Sequence, residues 1–497
     1  MCRRACLGSI AFVLLVTAAG QCDDDLTAAR NLESAMQRAI AKVEPAVACI
    51  LVSRSTEYKQ FDGISGTREP GQLGGFDRPD PDMGFRRGPA RLFDQRRREV
   101  AERLDLSAPN HVPESFGSGV VIDTSGKVLT CYHVVRDAAK IFVRLQGQKG
   151  SYADILAADE RSDLAVLKMI TPPPGLVALP LGNGNDTRKG QMVLSVSNPF
   201  AAGFRDGSPS SSWGIISNVR RRVPGEYDEL QRRRKLHYYG TLLQTDARMG
   251  LGCSGGALID LNGNLIGIIS SHAALTGGET AGGFAMPMDA IYRRVIETLR
   301  RGEEVEYGFL GVSFPLRGSD LTYEVMHNSP AQKAGMQSRE RIMAIDGVAI
   351  KEPDDLFLAI SARAPGSMVR ITVGNGFGLQ RVVTPRLVKY YVPRERPLIA
   401  ANRPAPIRGL RVDYSSILVR PDGGPRDSIP PGVVVREVMP NSPAERAALQ
   451  PNNDLIIEVN GQRVETPQEF ADAAQKTNGP LELTIHDLPE PRKVTLR

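Results

Sequence analysis

Residues Gly252-Cys253-Ser254-Gly255-Gly256 hold a serine inside a glycine turn, and the purpose of that serine decides the reading of the whole chain. Small neighbours let a substrate carbonyl come close to backbone N–H groups, which suits a nucleophile beside an oxyanion site. The same letters would equally make a plain hairpin turn before the strand 257–260. Two stretches upstream separate these readings. Leu129-Thr-Cys-Tyr-His-Val-Val135 puts His133 directly after an apolar strand, and Arg161-Ser-Asp-Leu-Ala-Val-Leu167 puts Asp163 at the mouth of another. A serine hydroxyl needs a base, an imidazole serves near neutral pH, and a buried carboxylate fixes the imidazole's tautomer. The chain order His133, Asp163, Ser254 is one in which such triads occur, and it excludes the α/β-hydrolase order, where serine comes first.

The chain has 497 residues, too many for one hydrophobic core and enough for about three domains. Its 49 glycines and 35 prolines against a single tryptophan favour turn-rich β structure over helical bundles. The net charge of +6 comes with arginine runs at 96–98, 220–222 and 232–234 that lack any aromatic ladder. These read as solvated loops, so no nucleic-acid partner is expected. Arg3 and Arg4 precede the apolar run 10–16 and the small residues 17–20, the order of an export signal too short to span a membrane. A signal peptide over 1–21 is therefore expected. The remaining chain is expected in the periplasm or another extracytoplasmic space, with no stable membrane span. The six cysteines do not form a disulfide framework in a chain of this size, and no metal or other cofactor is expected.

Residues 28–43 have helical spacing that Pro45 ends, and a first strand follows at 46–52. The stretch 53–114 is rich in Gly, Pro, Arg and Asp, lacks sustained periodicity and is expected to be a disordered insert. From Phe116 onward, many short strands with turns between them indicate a closed or sandwiched all-β domain, and 289–300 reads as a closing helix. Beyond it lies a repeat. Asn328-Ser-Pro-Ala recurs at Asn441-Ser-Pro-Ala, and Arg341-Ile-Met-Ala-Ile-Asp-Gly recurs as Leu455-Ile-Ile-Glu-Val-Asn-Gly, with one extra residue in the second copy at 451–453. Two copies of one small α/β module follow from this. The expected boundaries are a first domain over 22–305, modules over 306–389 and 407–497, and a Pro-rich, semi-stiff linker over 390–406 between them.

Taken together, Gly117-Ser-Gly-Val-Val-Ile-Asp, Leu-Thr-x-x-His-Val-Val, Ser-Asp-Leu-Ala-Val-Leu, Asn-Pro-Phe, Gln-Thr-Asp-Ala and Gly-x-Ser-Gly-Gly-Ala-Leu resemble the protease domain of the HtrA (Deg) family of trypsin-like serine proteases. The repeats resemble the PDZ domains that follow the protease in that family. The resemblance implies a mainly β fold: a chymotrypsin-like double β-barrel with the active site between the barrels, then two small α/β PDZ domains. It implies that His133 is the general base, Asp163 its orienter and Ser254 the nucleophile, with the N–H groups of Gly252 and Ser254 as the oxyanion hole. Ile268, Ile269, Ser270 and His272 would line the substrate pocket. Phe309, Leu310, Gly311 and Val312 would form the loop that holds a peptide C-terminus in the first PDZ domain, with Ile407–Leu410 a looser counterpart in the second. The implied partners are unfolded protein or peptide substrates, peptide C-termini at the PDZ domains and further copies of the chain, as trimers or larger. The implied activity is that of an exported, ATP-independent serine endoprotease acting on unfolded or damaged envelope proteins through an acyl-enzyme. The alternative is a catalytically silent, peptide-binding chaperone or scaffold on the same fold.

Two departures from the family pattern matter, and one rival site residue needs placing. The family commonly has asparagine near the histidine and before the serine, where this chain has Cys131 and Cys253. In an oxidising compartment these either form a disulfide tying the His133 strand to the Ser254 turn or stand as two partly buried thiols. Arg339-Glu340 replaces a usual Gly-Asp, which leaves that turn's geometry open. Asp159 is the nearest rival to Asp163, but it lies outside the matching motif.

Overall fold

The protein, described from a computed structural model over residues 6–58, 104–108, 113–199, 207–222, 235–270, 283–314, 321–375, 378–392, 397–419, 428–477, 479–487 and 489–497, forms two closed six-stranded barrels and then two smaller sheet modules. Strands β1 (Val47–Ser53), β2 (Ser115–Asp123), β3 (Lys127–Cys131), β4 (Lys140–Arg144), β5 (Gly150–Asp159) and β6 (Leu164–Met169) close the first barrel in the order β1-β2-β3-β6-β5-β4. Strands β7 (Met192–Ser197), β8 (Ser210–Arg221), β9 (Leu242–Thr245), β10 (Ala257–Ile259), β11 (Leu265–Ser270) and β12 (Gly283–Pro287) close the second in the order β10-β11-β12-β9-β8-β7. This is the mainly β, double-barrel architecture that the sequence implied. A long helix, α1 (Cys6–Val43), precedes the first barrel and begins inside the expected signal segment. Among the described residues, no helix is long and apolar enough to cross a membrane.

Strand β1 reads as an unbroken apolar run because both of its faces are covered. Ile50 lies against Gly119 in the neighbouring strand, while Cys49 and Leu51 cluster with Leu106 and Phe142. Burial pushes the Cys49 thiol up to about 12, which leaves it protonated and inert. Leu106 belongs to the stretch expected to be a structureless insert, and here that expectation needs correction. Tyr58 donates its hydroxyl to Leu104 O at 2.6 Å, and Arg144 Nη2 donates to Leu106 O at 3.1 Å and Ala108 O at 3.0 Å. Residues 104–108 thus cover β1. Two leucines flanking an aspartate carry too short a pattern to announce this. The rest of the insert lies outside the described residues.

The repeated modules fold on the same local rules. Asn328 and Asn441 take left-handed φ values of 54° and 58°, which asparagine tolerates better than most residues. Ser329 and Ser442 then cap the one-turn helices Pro330–Lys333 and Pro443–Arg446, each accepting from a backbone N–H three residues on at 3.2 Å. Proline takes the first helical position in both, where its missing N–H would have had no partner. Asp346-Gly347 and Asn460-Gly461 both have positive φ at the two central positions and make matching two-residue hairpin turns. The first core gathers Leu310, Tyr323, Ile342, Leu356 and Val373; the second gathers Leu410, Val433, Ile456, Phe470 and Leu483. The Arg339-Glu340 departure is also explained. Glu340 accepts from Gln337 N at 2.9 Å just as Asp454 accepts from Gln450 N at 2.9 Å, so the turn keeps its carboxylate, and Arg339 takes φ 69°.

The Pro-rich segment is more than a spacer. Ala401 N donates to Leu156 O at 2.9 Å, Ala158 N to Ile399 O at 3.0 Å and Asn402 N to Gly302 O at 2.8 Å, so 399–402 runs as an added edge beside 156–158. Near it, Lys389 is buried with its ammonium 2.8 Å from Asp413, 2.8 Å from Glu306 and 3.1 Å from Glu304. Burial opposes that charge, but the three carboxylates outweigh it and hold the lysine above its ordinary value. Glu306 is pushed up, chiefly by its own burial.

Candidate active site

The expected nucleophile turn is stitched to the strands that lead to the expected base. His133 lies in a single helical turn (α2, Tyr132–Val135) directly after β3, half-exposed between buried Tyr132 and Val134. Ser254 is nearly buried in the turn before β10. Ser118 of β2 ties the turn down through two hydrogen bonds and is itself held by a third. Its N–H donates to Ser254 O at 2.8 Å, its hydroxyl donates to Gly252 O at 2.7 Å, and that hydroxyl accepts from Asn198 N at 2.9 Å. Thr130, three residues before His133, donates to Ser118 O at 2.7 Å. A Cβ on Gly255 would sit 2.1 Å from Ser118 O and 2.6 Å from Thr130 Oγ1, and its φ is +88°, so only glycine fits. Ser118 and Thr130 shape this site, yet sequence reasoning treated them only as motif letters; their neighbours in the Gly-Ser-Gly and Leu-Thr patterns were the available signal.

Gly252 also has positive φ, 86°, and among the described residues its N–H donates to no backbone carbonyl. Asp163 ends the turn between β5 and β6, is 1% exposed and takes φ 59°. In the closed barrel β6 is the neighbour of β3, the strand that delivers His133. Cys131, His133 and Asp163 each bring one ligand-capable atom to within 4.8 Å of the others. Asp159 acts elsewhere, since its carboxylate accepts from Ser162 N at 2.9 Å and from the Tyr307 hydroxyl.

Of the two alternatives for the cysteine pair, the structure has the thiols and not the disulfide. Cys131 and Cys253 are both buried and have different partners: Cys131 Sγ donates to Ile269 O at 3.4 Å, and Cys253 Sγ accepts from Ser197 Oγ at 3.1 Å. Cys253 also packs in the second barrel's core with Val193, Leu258 and Ile269, which directs its side chain into the barrel. Ile269 meets the serine turn through its backbone, accepting from Gly255 N at 2.8 Å and donating to Gly256 O at 2.9 Å, while its side chain faces that core. Ile268 and Ser270 are buried on the same strand, β11, and His272 lies outside the described residues.

The two expected carboxylate loops differ. In the first, Gly308–Phe309 pairs with Val388–Lys389, and Val312–Ser313 with Glu324–Val325. Between them, Leu310 and Gly311 donate to no backbone carbonyl among the described residues, while their own carbonyls accept from Ala331 and Met326. In the second, Ile407 and Leu410 exchange both backbone hydrogen bonds at 2.9 Å across Arg408 and Gly409, whose φ values are 53° and 82°.

Comparison with known proteins agrees with this layout. Residues 117–268 match the trypsin-like peptidase domain family, and residues 308–377 and 434–486 each match a PDZ domain family. A probable periplasmic serine endoprotease, DegP-like, from Pseudomonas fulva (strain 12-X) is 30% identical over 400 residues, spanning 77% of this chain and 76% of that protein. A protein of the same description from Brucella suis biovar 1 (strain 1330) is 29% identical over 454 residues, spanning 86% of this chain and 82% of that one. Among solved structures, the HtrA-type protease AlgW with a tripeptide aligns with 72% of this chain and 98% of its own, at 24% identity and a TM-score of 0.48.

Proposed function

The chain belongs to the HtrA/DegP-like family of trypsin-like serine endoproteases with PDZ domains, and from that premise we propose that it is an exported, ATP-independent endoprotease that cleaves unfolded or damaged envelope proteins with His133, Asp163 and Ser254. Ser254 Oγ attacks the scissile carbonyl while His133 takes its proton, and Asp163 holds the imidazole in the productive tautomer. The N–H groups of Gly252 and Ser254 receive the oxyanion; His133 then protonates the leaving amine, and water releases the acyl-enzyme. The first PDZ domain captures peptide C-termini at Phe309–Val312.

The observation that carries this reading is the pinning of the Ser254 turn to Ser118, which Thr130 holds in turn, on the strands that run into His133. Nucleophile and base then sit on one rigid substructure, which is what proximity catalysis requires. Casein cleavage by the mature chain and by Ser254→Ala tests the assignment. The variant should lose about 10⁴-fold or more of the activity. Equal cleavage by both would overturn the role of Ser254, and no cleavage by either would favour the silent scaffold.

A further inference from the structure

We propose that Arg161 is a positioning residue for Asp163, held in an aromatic box to which the first PDZ domain contributes Tyr307 and the segment just after it Tyr390. The inference rests on the triad reading above. Arg161 sits two residues before Asp163 in the same turn and is 1% exposed. Its guanidinium lies 4.4 Å from the ring centre of Tyr390, 4.8 Å from that of Tyr307 and 5.9 Å from that of Tyr239. Its Nη2 donates to Ser361 Oγ at 3.2 Å, and its backbone carbonyl accepts from Leu236 N at 2.8 Å. The other end of the turn is gripped as well, since Asp159 accepts from both Ser162 N and the Tyr307 hydroxyl. Burial and the Asp159 carboxylate push the Tyr307 phenol well above its ordinary value, so it stays a donor.

Burying a guanidinium is unfavourable unless π faces and acceptors meet its charge. Such a site, built two residues from Asp163, matters because Asp163 holds φ 59°. A non-glycine residue keeps that conformation only where its surroundings impose it. The surroundings are the box. Tyr307 and Ser361 belong to the first PDZ domain, Tyr390 directly follows its last strand and bonds back to Tyr307 O at 2.7 Å, and Tyr239 comes from the segment before β9. Arg161 and Asp159 therefore fix the turn from which the Asp163 carboxylate projects, and the first PDZ domain becomes part of the catalytic apparatus.

The test uses the full chain and a fluorogenic peptide, with labelling of Ser254 by a fluorophosphonate as a second readout. Arg161→Met should lower kcat by about 10²-fold with KM within about twofold, the scale expected when a catalytic group is misplaced by about an ångström. Arg161→Lys keeps a cation over the rings and should restore at least half of that loss on a logarithmic scale. In an Asp163→Asn background, Arg161→Met should add less than about twofold, because two residues acting as one unit do not lose rate independently. Multiplying losses in the double variant, or a rise in KM with kcat intact, would overturn the proposal. Ser361→Ala guards against misfolding: it should keep the wild-type melting temperature and still lose a few-fold in kcat, and wild-type kcat there would count against the box. Full activity of Asp163→Asn alone would instead sink the triad reading, a result distinct from all of these.

Discussion

The first and second PDZ domains share their asparagine-serine-proline caps, their hairpin turns and their capping carboxylates, yet diverge at the loop meant to hold a peptide carboxylate. The floor of that loop is common: Met326 N bonds Gly311 O in one and Met439 N bonds Gly409 O in the other, at 3.0 and 2.8 Å. The rim is not. In the first domain the incoming chain pairs with Val388–Lys389. In the second, Ile407 and Leu410 satisfy one another across a turn with two positive φ values. A fold set by core pattern and caps therefore leaves its binding function to the few residues that enter the sheet.

The sharpest way to break this contrast is to fill both glycines. A Cβ on Gly311 would lie 2.3 Å from Ser329 Cβ, and one on Gly409 would lie 2.0 Å from Ser442 Cβ, each at positive φ. Gly311→Ala and Gly409→Ala should each destabilise their domain by about 2–4 kcal/mol in denaturant melts. Only Gly311→Ala should also abolish binding of a fluorescent peptide with a free C-terminus; equal losses from both would erase the distinction. A smaller effect is expected at Glu340, which has an Arg381 partner where Asp454 has Arg492. Burial opposes ionisation of Glu340, but the Gln337 N–H, Arg381 and the Tyr323 hydroxyl outweigh it and hold the carboxyl below its ordinary value. A depressed carboxyl stabilises the fold above its unfolded value and loses that contribution as pH falls through the folded one. Glu340→Gln should thus cost about 1–2 kcal/mol at pH 7 and close to nothing in strong acid, read from melting curves across pH. A penalty that persists in acid would mean packing, not charge, holds that turn. Smallest and most even should be the cap removals: Ser329→Ala and Ser442→Ala should each lose about 1 kcal/mol with peptide affinity unchanged. Unequal losses would show that the shared scaffold is less shared than its geometry.

Much of this was legible because the informative signals are local. The serine turn, the strand-end histidine and the Ser-Asp-Leu run are contiguous letters, and the asparagine-serine-proline repeat states its own cap. What stayed hidden depends on residues far apart in sequence. Tyr239, Tyr307 and Tyr390 carry no mutual spacing that points to Arg161. Nothing near Cys253 shows that its sulfur turns into the second barrel while Cys131 addresses Ile269. Leu106 covers β1 from within a stretch whose composition argues for no structure, and the Pro-rich 399–402 edge pairs with a strand more than two hundred residues away. The closed Arg408–Gly409 turn was readable only as a loose motif, since φ is not written in the letters.

Lys389 shows how a chain that repeats as sequence need not divide as matter. One ammonium answers three carboxylates, two of them at the entrance to the first PDZ domain and the third, Asp413, inside the second. Cutting at the proline-rich boundary would strand Asp413 in one fragment without its cation and leave the lysine in the other. Evolution can copy such a domain as a cassette, but it cannot lift one out without also settling the account of its charge.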